Sequence, residues 1–293
     1  MRACAYHEDG RRRQPSERVR EGEVVLLVRP RFEARRRPPP SRVLYEDEAM
    51  VVVDKPAGLP VHPSASYHRN TLTFLLRQRY PDRTPHLAHR LDRETSGVLV
   101  CARTLEDERH LKKAFERREV QKTYLAIARG RVEADEGRID LPLGRPDEGL
   151  HLLMEVREDG APSRTRYRVA ARAPEHTLVA LAPETGRQHQ LRVHLAAIGH
   201  PIVGDKLYGP EGAQPFLDYI EEGMTPALAA RLGHDRRALH AHALTVEHPR
   251  TGRPFEMVAP LALDLVALWE RLGGATPQAV RARRAIDPGC GPS

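Results

Sequence analysis

His89-Arg90-Leu91-Asp92-Arg93-Glu94-Thr95-Ser96-Gly97-Val98-Leu99-Val100 is the stretch from which the rest of the chain can be read. A carboxylate lies between two arginines on a polar turn that runs directly into an apolar strand. Neighbouring positive charge keeps such a carboxylate ionised even where water is scarce. An ionised Asp92 in a water-poor pocket can serve as nucleophile, general base or cation stabiliser. Taken alone, the same residues read more simply as an ion-pair cluster at a strand edge, so the surrounding sequence has to decide.

Upstream, Val43-Leu44-Tyr45 and Met50-Val51-Val52-Val53 flank Glu46-Asp47-Glu48 as the arms of a hairpin. The prolines and glycine of 54–63 impose an ordered loop. Leu72, Leu75, Leu76 and Tyr80 share one face of a short helix over 71–80. Downstream, a buried strand runs from Val98 to Ala102. Thr104 caps a helix with Asp107 at the third position, and Leu105, Leu111 and Phe115 mark its inner stripe. A strand over 120–128 puts Lys122 and Tyr124 on one face, with Thr123, Leu125 and Ile127 on the other. Further strands are expected over 152–156, 165–170 and 177–181.

Thr185-Gly186 opens a helix over 187–198, with Leu191, His194, Leu195 and Ile198 on one side and Gly199 as its left-handed cap. Residues 211–236 suggest an irregular insertion. A hairpin follows over 239–246 and 255–258, and Leu261, Leu265, Leu268 and Leu272 mark a closing helix. Strands outnumber helices and hairpins join many of them, which predicts an α+β fold built on a mixed, largely antiparallel sheet. The expected division is a basic N-terminal segment over 1–38, a main domain over 39–273 and a flexible tail over 274–293. Arg35-Arg36-Arg37-Pro38-Pro39-Pro40 reads as a stiff, charged linker at the first boundary.

The composition narrows the partner. Hydrophobic residues make up 40% and charged residues 30% of the 293, enough for a sizeable core beneath a charged surface. The net charge of +7 and a pI near 9.6, with arginine the main cation, favour a phosphate-bearing partner such as nucleic acid. Cys4, Cys101 and Cys290 are odd in number and far apart, which indicates neither a disulfide framework nor a zinc site and fits a reducing cytoplasm. No apolar run is long enough to span a bilayer. No apolar core follows Arg11-Arg12-Arg13, so no signal peptide is expected.

Of the candidate chemistries, several lack support. The 15 histidines include no H-E-x-x-H pair, and His240-x-His242 has no obvious third ligand in sequence. There is no G-x-S-x-G elbow, no phosphate-cradling glycine loop and no G-x-G-x-x-G, so neither a metal nor another cofactor is expected. Two features add to Asp92. Tyr124, in a chain with only 5% aromatic residues, could stack on a planar base while its hydroxyl serves as acid or base. Arg192, projecting from its helix toward a carboxylate, would lower that group's pKa and fix its orientation.

The segment from His89 to Gly97 closely resembles the catalytic motif of the RluA-type RNA pseudouridine synthases. Four further segments match that family in order. They are Asp54-Lys55-Pro56-Ala57-Gly58-Leu59-Pro60-Val61-His62, then Lys122-Thr123-Tyr124, then 185–194 with 199–209, and finally Leu239-His240-Ala241 leading to His248-Pro249. The resemblance covers about 41–272, and residues 17–30 look like the tail of an S4-type RNA-binding module. It implies a pseudouridine synthase sheet with a central RNA-binding cleft, and conversion of uridines in structured RNA, ribosomal or transfer, to pseudouridine. It assigns Asp92 as the catalytic carboxylate, Tyr124 as the base-stacking tyrosine placed for C5 deprotonation, and Arg192 as the arginine that pairs with the aspartate. Arg90, Arg93, Lys55, Lys122, Arg187 and His189 are then candidates to contact RNA. Glu94 stands where the family usually has aspartate, with its acidity kept. The isomerisation is redox-neutral and hydrolyses nothing, which agrees with the missing cofactor motifs. A cytoplasmic monomer is expected. A non-catalytic RNA-binding or ribosome-assembly protein on the same fold is the alternative, and it would be expected to lose one of the three catalytic residues.

Overall fold

A computed structural model describes residues 4–9, 11, 13–14, 17–28, 41–63, 70–150, 152–281 and 285–286. They fall in two compact units, Met1–Arg37 and Pro38–Ser293. In the small unit β1 (Cys4–Tyr6) pairs antiparallel with β2 (Leu26–Val28). The buried Arg13 side chain ties this unit together by pairing with Glu23 and donating to the Arg18 carbonyl at 3.0 Å. The expected Arg35–Pro40 linker lies outside the described residues.

In the large unit β3 (Arg42–Glu46) and β4 (Met50–Lys55) form the expected hairpin, followed by α1 (Leu72–Arg79), β5 (His86–Leu87) and β6 (Ser96–Ala102). Next come α2 (Leu105–Glu116), β7 (Gln121–Arg129), β8 (Glu136–Asp140), β9 (Leu143–Gly144), β10 (Glu155–Val156), β11 (Arg164–Arg172) and β12 (His176–Pro183). Then α3 (Gln190–Ala197), α4 (Gln214–Glu222), α5 (Pro226–Leu232), β13 (Leu239–Glu247), β14 (Pro254–Val258), α6 (Leu263–Arg271), α7 (Gln278–Arg281) and β15 (Ala285–Ile286) complete the chain order. No helix among the described residues is long and apolar enough to cross a membrane.

The main sheet runs β3-β4-β6-β13-β7-β12-β11-β8, with β5, β14 and β15 joined at its margins. Among the described strands only β6 and β13 run parallel, His240 opposite Ser96 and Ala241 opposite Gly97. The sheet is therefore mixed and largely antiparallel, with helices on its flanks, as the sequence pattern implies. Both β4 and β6 read as continuous apolar runs because both their faces are covered. Met50, Val52, Val98 and Val100 pack into one cluster with Leu111 of α2. Val51, Val53, Leu99 and Cys101 pack on the opposite face with Leu72 and Leu76 of α1. A third cluster, on β7 and β12, is closed by Leu191 and Leu195 of α3 and by Leu265, Leu268 and Trp269 of α6.

Several local expectations are corrected. Leu105 is 56% exposed, and α2 buries Asp107, Leu111 and Ala114 instead. Only Glu155–Val156 of the 152–156 run is strand. Residues 211–236 carry two helices, α4 and α5, the second capped by the Thr225 side chain accepting from the Leu228 N–H. The helix expected from Arg187 begins at Gln190. The Gln190 side chain accepts from the Thr185 hydroxyl (2.7 Å) and the Arg187 N–H (3.1 Å), which holds 185–189 in a loop. Part of the expected frayed tail is docked. The Leu261 N–H donates to the Val280 carbonyl, the Trp269 indole to the Ala275 carbonyl, and β15 pairs with β14.

Candidate active site

The loop before β6 is fastened at each step. His89 is half-buried, stacks on Phe115 at 4.5 Å, and accepts from the Val100 N–H at 3.0 Å. Burial and then Lys122 push its pKa down to about 3, so the ring is neutral and suited to accept. The Arg93 carbonyl receives the Gly58 N–H (2.8 Å) and the Lys55 ammonium (3.2 Å). The Glu94 carbonyl receives Arg236, which is clamped on Asp264 at 2.6 and 2.9 Å. Gly97 completes the loop at φ +112, where an added Cβ would run into the Ala241 carbonyl of the parallel neighbour. Only glycine suits both demands.

Asp92 then projects into a network of alternating charge. The Arg237 guanidinium donates to Asp92 Oδ2 at 2.8 Å, and the Arg192 guanidinium stands 3.9 Å from the same oxygen. Arg192 is itself held by a bidentate pair with Asp205, at 2.6 and 2.7 Å. The Asp205 side chain is fully buried and also accepts from the Leu207 and Tyr208 N–H groups. Tyr208 lies beneath the Arg192 guanidinium, 4.7 Å from centroid to carbon. Glu94 faces Arg237 at 3.7 Å and is neutralised by Lys206 at 3.1 Å and Arg93 at 3.1 Å.

These contacts set the protonation states. Burial would raise the pKa of Asp92, but Arg237 and then Arg192 outweigh it and hold the carboxyl below the usual range. Asp205 is depressed further, its burial overcome by Arg192. Glu94 falls to about 2, its burial overcome by Arg237, Lys206 and Arg93. Tyr124 is pushed up to about 12, by burial and then by the charge on Asp92, and its hydroxyl makes no hydrogen bond among the described residues. The site therefore presents a charged carboxylate beside a neutral phenol.

Asp92 and Tyr124 open onto a cleft of 590 Å³ whose walls also include Arg90, Lys122, Arg187, His189 and Arg192. Seven of the nine residues singled out from the sequence thus come together, and two do not. Lys55 is fully buried, with its ammonium capped by the Pro56, Leu59 and Arg93 carbonyls at 2.9–3.2 Å, so it braces the loop and cannot reach a phosphate. Burial and then Arg236 push its pKa down to about 7. Arg93 turns away from the cleft toward Glu94 and the Tyr219 ring. His189 lines the cleft but not as a cation. It sits in the left-handed region at φ 56, bonds the Tyr208 hydroxyl at 2.8 Å, and is lowered to about 4 by burial and then by Arg192.

The expected partner of Asp92 is also revised. Arg192 is the nearby but longer contact, and Arg237 makes the direct bond. Arg237, Asp205 and Lys206 were assigned no role from sequence. Their signal was present in the charged pair Asp205-Lys206 inside the run Ile202-Val203-Gly204-Asp205-Lys206-Leu207-Tyr208, and in Arg236-Arg237 just before an apolar strand. A charge placed in such a run is usually buried with a partner.

A carboxylate kept ionised beside a shielded phenol, in a basic cleft on a mixed sheet, defines an enzyme that draws a planar, phosphate-linked group into its pocket. The chain belongs to the RluA-type RNA pseudouridine synthase family, whose model, described as RNA pseudouridylate synthase, matches residues 49–197. It is 40% identical over 243 residues to ribosomal large subunit pseudouridine synthase D of Vibrio parahaemolyticus, covering 80% of this chain and 71% of that protein. It is 40% identical over 272 residues to the protein of the same name from Xanthomonas campestris pv. campestris, covering 90% and 80%. Among solved structures, human RNA Pseudouridylate Synthase Domain Containing 4 superposes with a TM-score of 0.64 at 28% identity, covering 80% of this chain and 94% of that one. The chain is accordingly an isomerase that acts on RNA.

Proposed function

We propose that the substrate is a uridine of large-subunit ribosomal RNA, with Asp92 as the reacting carboxylate, Tyr124 as the base platform and proton acceptor, and Arg192 with Arg237 as the cations that hold Asp92. The observation that carries the residue roles is the convergence of an ionised Asp92 and a neutral Tyr124 on one cleft, although burial alone would raise the pKa of the carboxyl. The choice of RNA is supported by two relatives, 40% identical, whose names specify the ribosomal large subunit.

Pseudouridylation breaks the N1–C1′ bond, turns the base and joins C5 to C1′. The target must leave its stack, costing a few kcal/mol that phosphate contacts and stacking on Tyr124 offset. Arg90, exposed at the mouth of the cleft, is placed to fill the vacated space or bind the backbone. Asp92 supplies the negative charge beside C1′. That same charge helps to hold the Tyr124 proton. A route in which the carboxylate becomes covalently attached removes the charge, and so makes Tyr124 a better acceptor when the C5 proton must leave.

The test is pseudouridine mapping on large-subunit ribosomal RNA transcribed in vitro and treated with the full chain. Wild-type protein should modify it, while Asp92→Asn should bind it equally well and form no pseudouridine. Turnover by Asp92→Asn comparable to wild type would remove Asp92 from the chemistry. Modification of transfer RNA alone would overturn the choice of substrate.

A further inference from the structure

Two more cavities adjoin the cleft. One, of 560 Å³, shares Phe115, Lys122, Pro183, Thr185, Gly186 and Arg187 with it. The next, of 640 Å³, shares Thr123, Arg166, Ala182 and Glu184 with the second. The second cavity shares walls with both others and lies past Arg187 at the end of β12, so the three make a groove that leaves the cleft there and turns onto the opposite face of the sheet, where it crosses β7, β12, β11 and β8. Three inter-strand spacings give this crossing a length of about 14 Å.

The groove holds more positive charge than its own carboxylates neutralise. Outside the catalytic cluster, six Lys and Arg side chains line it against three glutamates. Arg118, Arg168 and Arg187 make no ion pair among the described residues. Arg166 and Arg138 stand directly opposite each other across β11 and β8, an arrangement that destabilises a sheet when the charges are alike. They share Glu184, at 3.1 and 3.8 Å, and Arg138 also pairs with Asp140 at 3.3 Å, while Arg166 has no other acidic partner among the described residues. Arg118, just beyond α2, adopts φ 61, a conformation that favours glycine. Uncompensated arginines, a like-charged pair and a strained arginine along one continuous groove are the arrangement that a polyanion would relieve.

We infer that this groove carries the sugar–phosphate backbone of the RNA strand flanking the target uridine, with Arg118, Arg166 and Arg168 as backbone contacts. The inference rests on the reading of the cleft as the site of pseudouridine formation. It predicts that affinity for RNA is set in part by residues on β11, four strands along the sheet from β6, the strand that Asp92 precedes.

The experiment measures binding of the full chain to large-subunit ribosomal RNA transcript as a function of salt, beside pseudouridine mapping. Each phosphate contact to a single strand adds about 0.7 to the slope of log affinity against log salt. Arg166→Gln with Arg168→Gln should therefore flatten the slope by about 1.4, so that the affinity gap to wild type narrows about sevenfold between 50 and 200 mM salt. The loss should fall on KM. Glu184→Gln, which removes a groove carboxylate, should tighten binding. Arg231→Gln, at an exposed arginine paired with Glu211 and Asp218 on α5, should leave binding unchanged. A wild-type slope in the double variant, or equal losses for Arg231→Gln, would overturn the groove while leaving the catalytic reading intact. Failure of the unmutated protein to form pseudouridine in any RNA would instead overturn the reading beneath it.

Discussion

Arg237→Met removes the guanidinium 2.8 Å from Asp92 and leaves Arg192, 3.9 Å away, as the nearest remaining cation. At an effective dielectric constant of about 20, these separations correspond to about 6 and about 4 kcal/mol of attraction before screening. The Asp92 side chain is 39% exposed, so water takes up much of the difference. The expected net loss of transition-state stabilisation is about 1–2 kcal/mol, roughly a five- to thirtyfold fall in single-turnover rate. Folding should suffer less, because methionine fills a similar volume and Glu94 keeps Lys206 and Arg93. The sign of the pH effect follows from the competition at Asp92. Burial raises its pKa and Arg237 is the largest opposing influence, so without Arg237 the pKa rises. The acid limb of the rate profile should then move to higher pH, and Arg237→Lys should restore part of the shift. The assay is pseudouridine formation under saturating enzyme across the acid range. A rate and an acid limb identical to wild type would refute the direct role of Arg237 and leave Arg192 as sufficient.

Tyr124→Phe should fold as wild type, since no hydrogen bond is lost among the described residues, and should lose most single-turnover activity; undiminished rates would remove the hydroxyl from the chemistry. Glu94→Gln should be less stable than wild type by up to about 3 kcal/mol at neutral pH, the linkage value for a pKa lowered from 4.5 to about 2. Because a depressed carboxyl stabilises the fold above its unfolded pKa, the difference should be constant above about 4.5 and vanish toward 2. Urea melts at several pH values read this directly, and a difference that grows on acidification would contradict it. Gly97→Ala should cost at least about 3 kcal/mol, combining the φ +112 backbone with collision against the Ala241 carbonyl; an unchanged urea midpoint would show that β13 can yield.

Much of the sheet was legible because its strands are local patterns. The continuous apolar runs of β4 and β6 required cover on both faces, and the alternation in β7 separated Lys122 and Tyr124 from Leu125 and Ile127. The two helices in 211–236 were not legible, because α4 leaves Leu217 and Ile220 exposed and so shows no buried stripe at helical spacing. The helix start at Gln190 depends on side-chain bonds to Thr185 and the Arg187 N–H, which no periodicity records. Lys55 looked like a phosphate ligand because lysine is usually exposed, yet three carbonyls converge on it only once the Arg93 loop is folded over 56–59.

By itself the sequence singled out Asp92, Tyr124 and the family motifs around them, since each is a short segment read residue by residue. Tertiary structure alone decided which cation holds Asp92. Arg93, next in the chain, points elsewhere because it sits in a turn closed by the Thr95 N–H donating to the Asp92 carbonyl. Arg237 lies 145 positions away. It reaches Asp92 because β6 and β13 run parallel with Ser96 opposite His240. Parallel pairing brings the segments that enter both strands to the same edge of the sheet, one carrying the aspartate and the other its arginine.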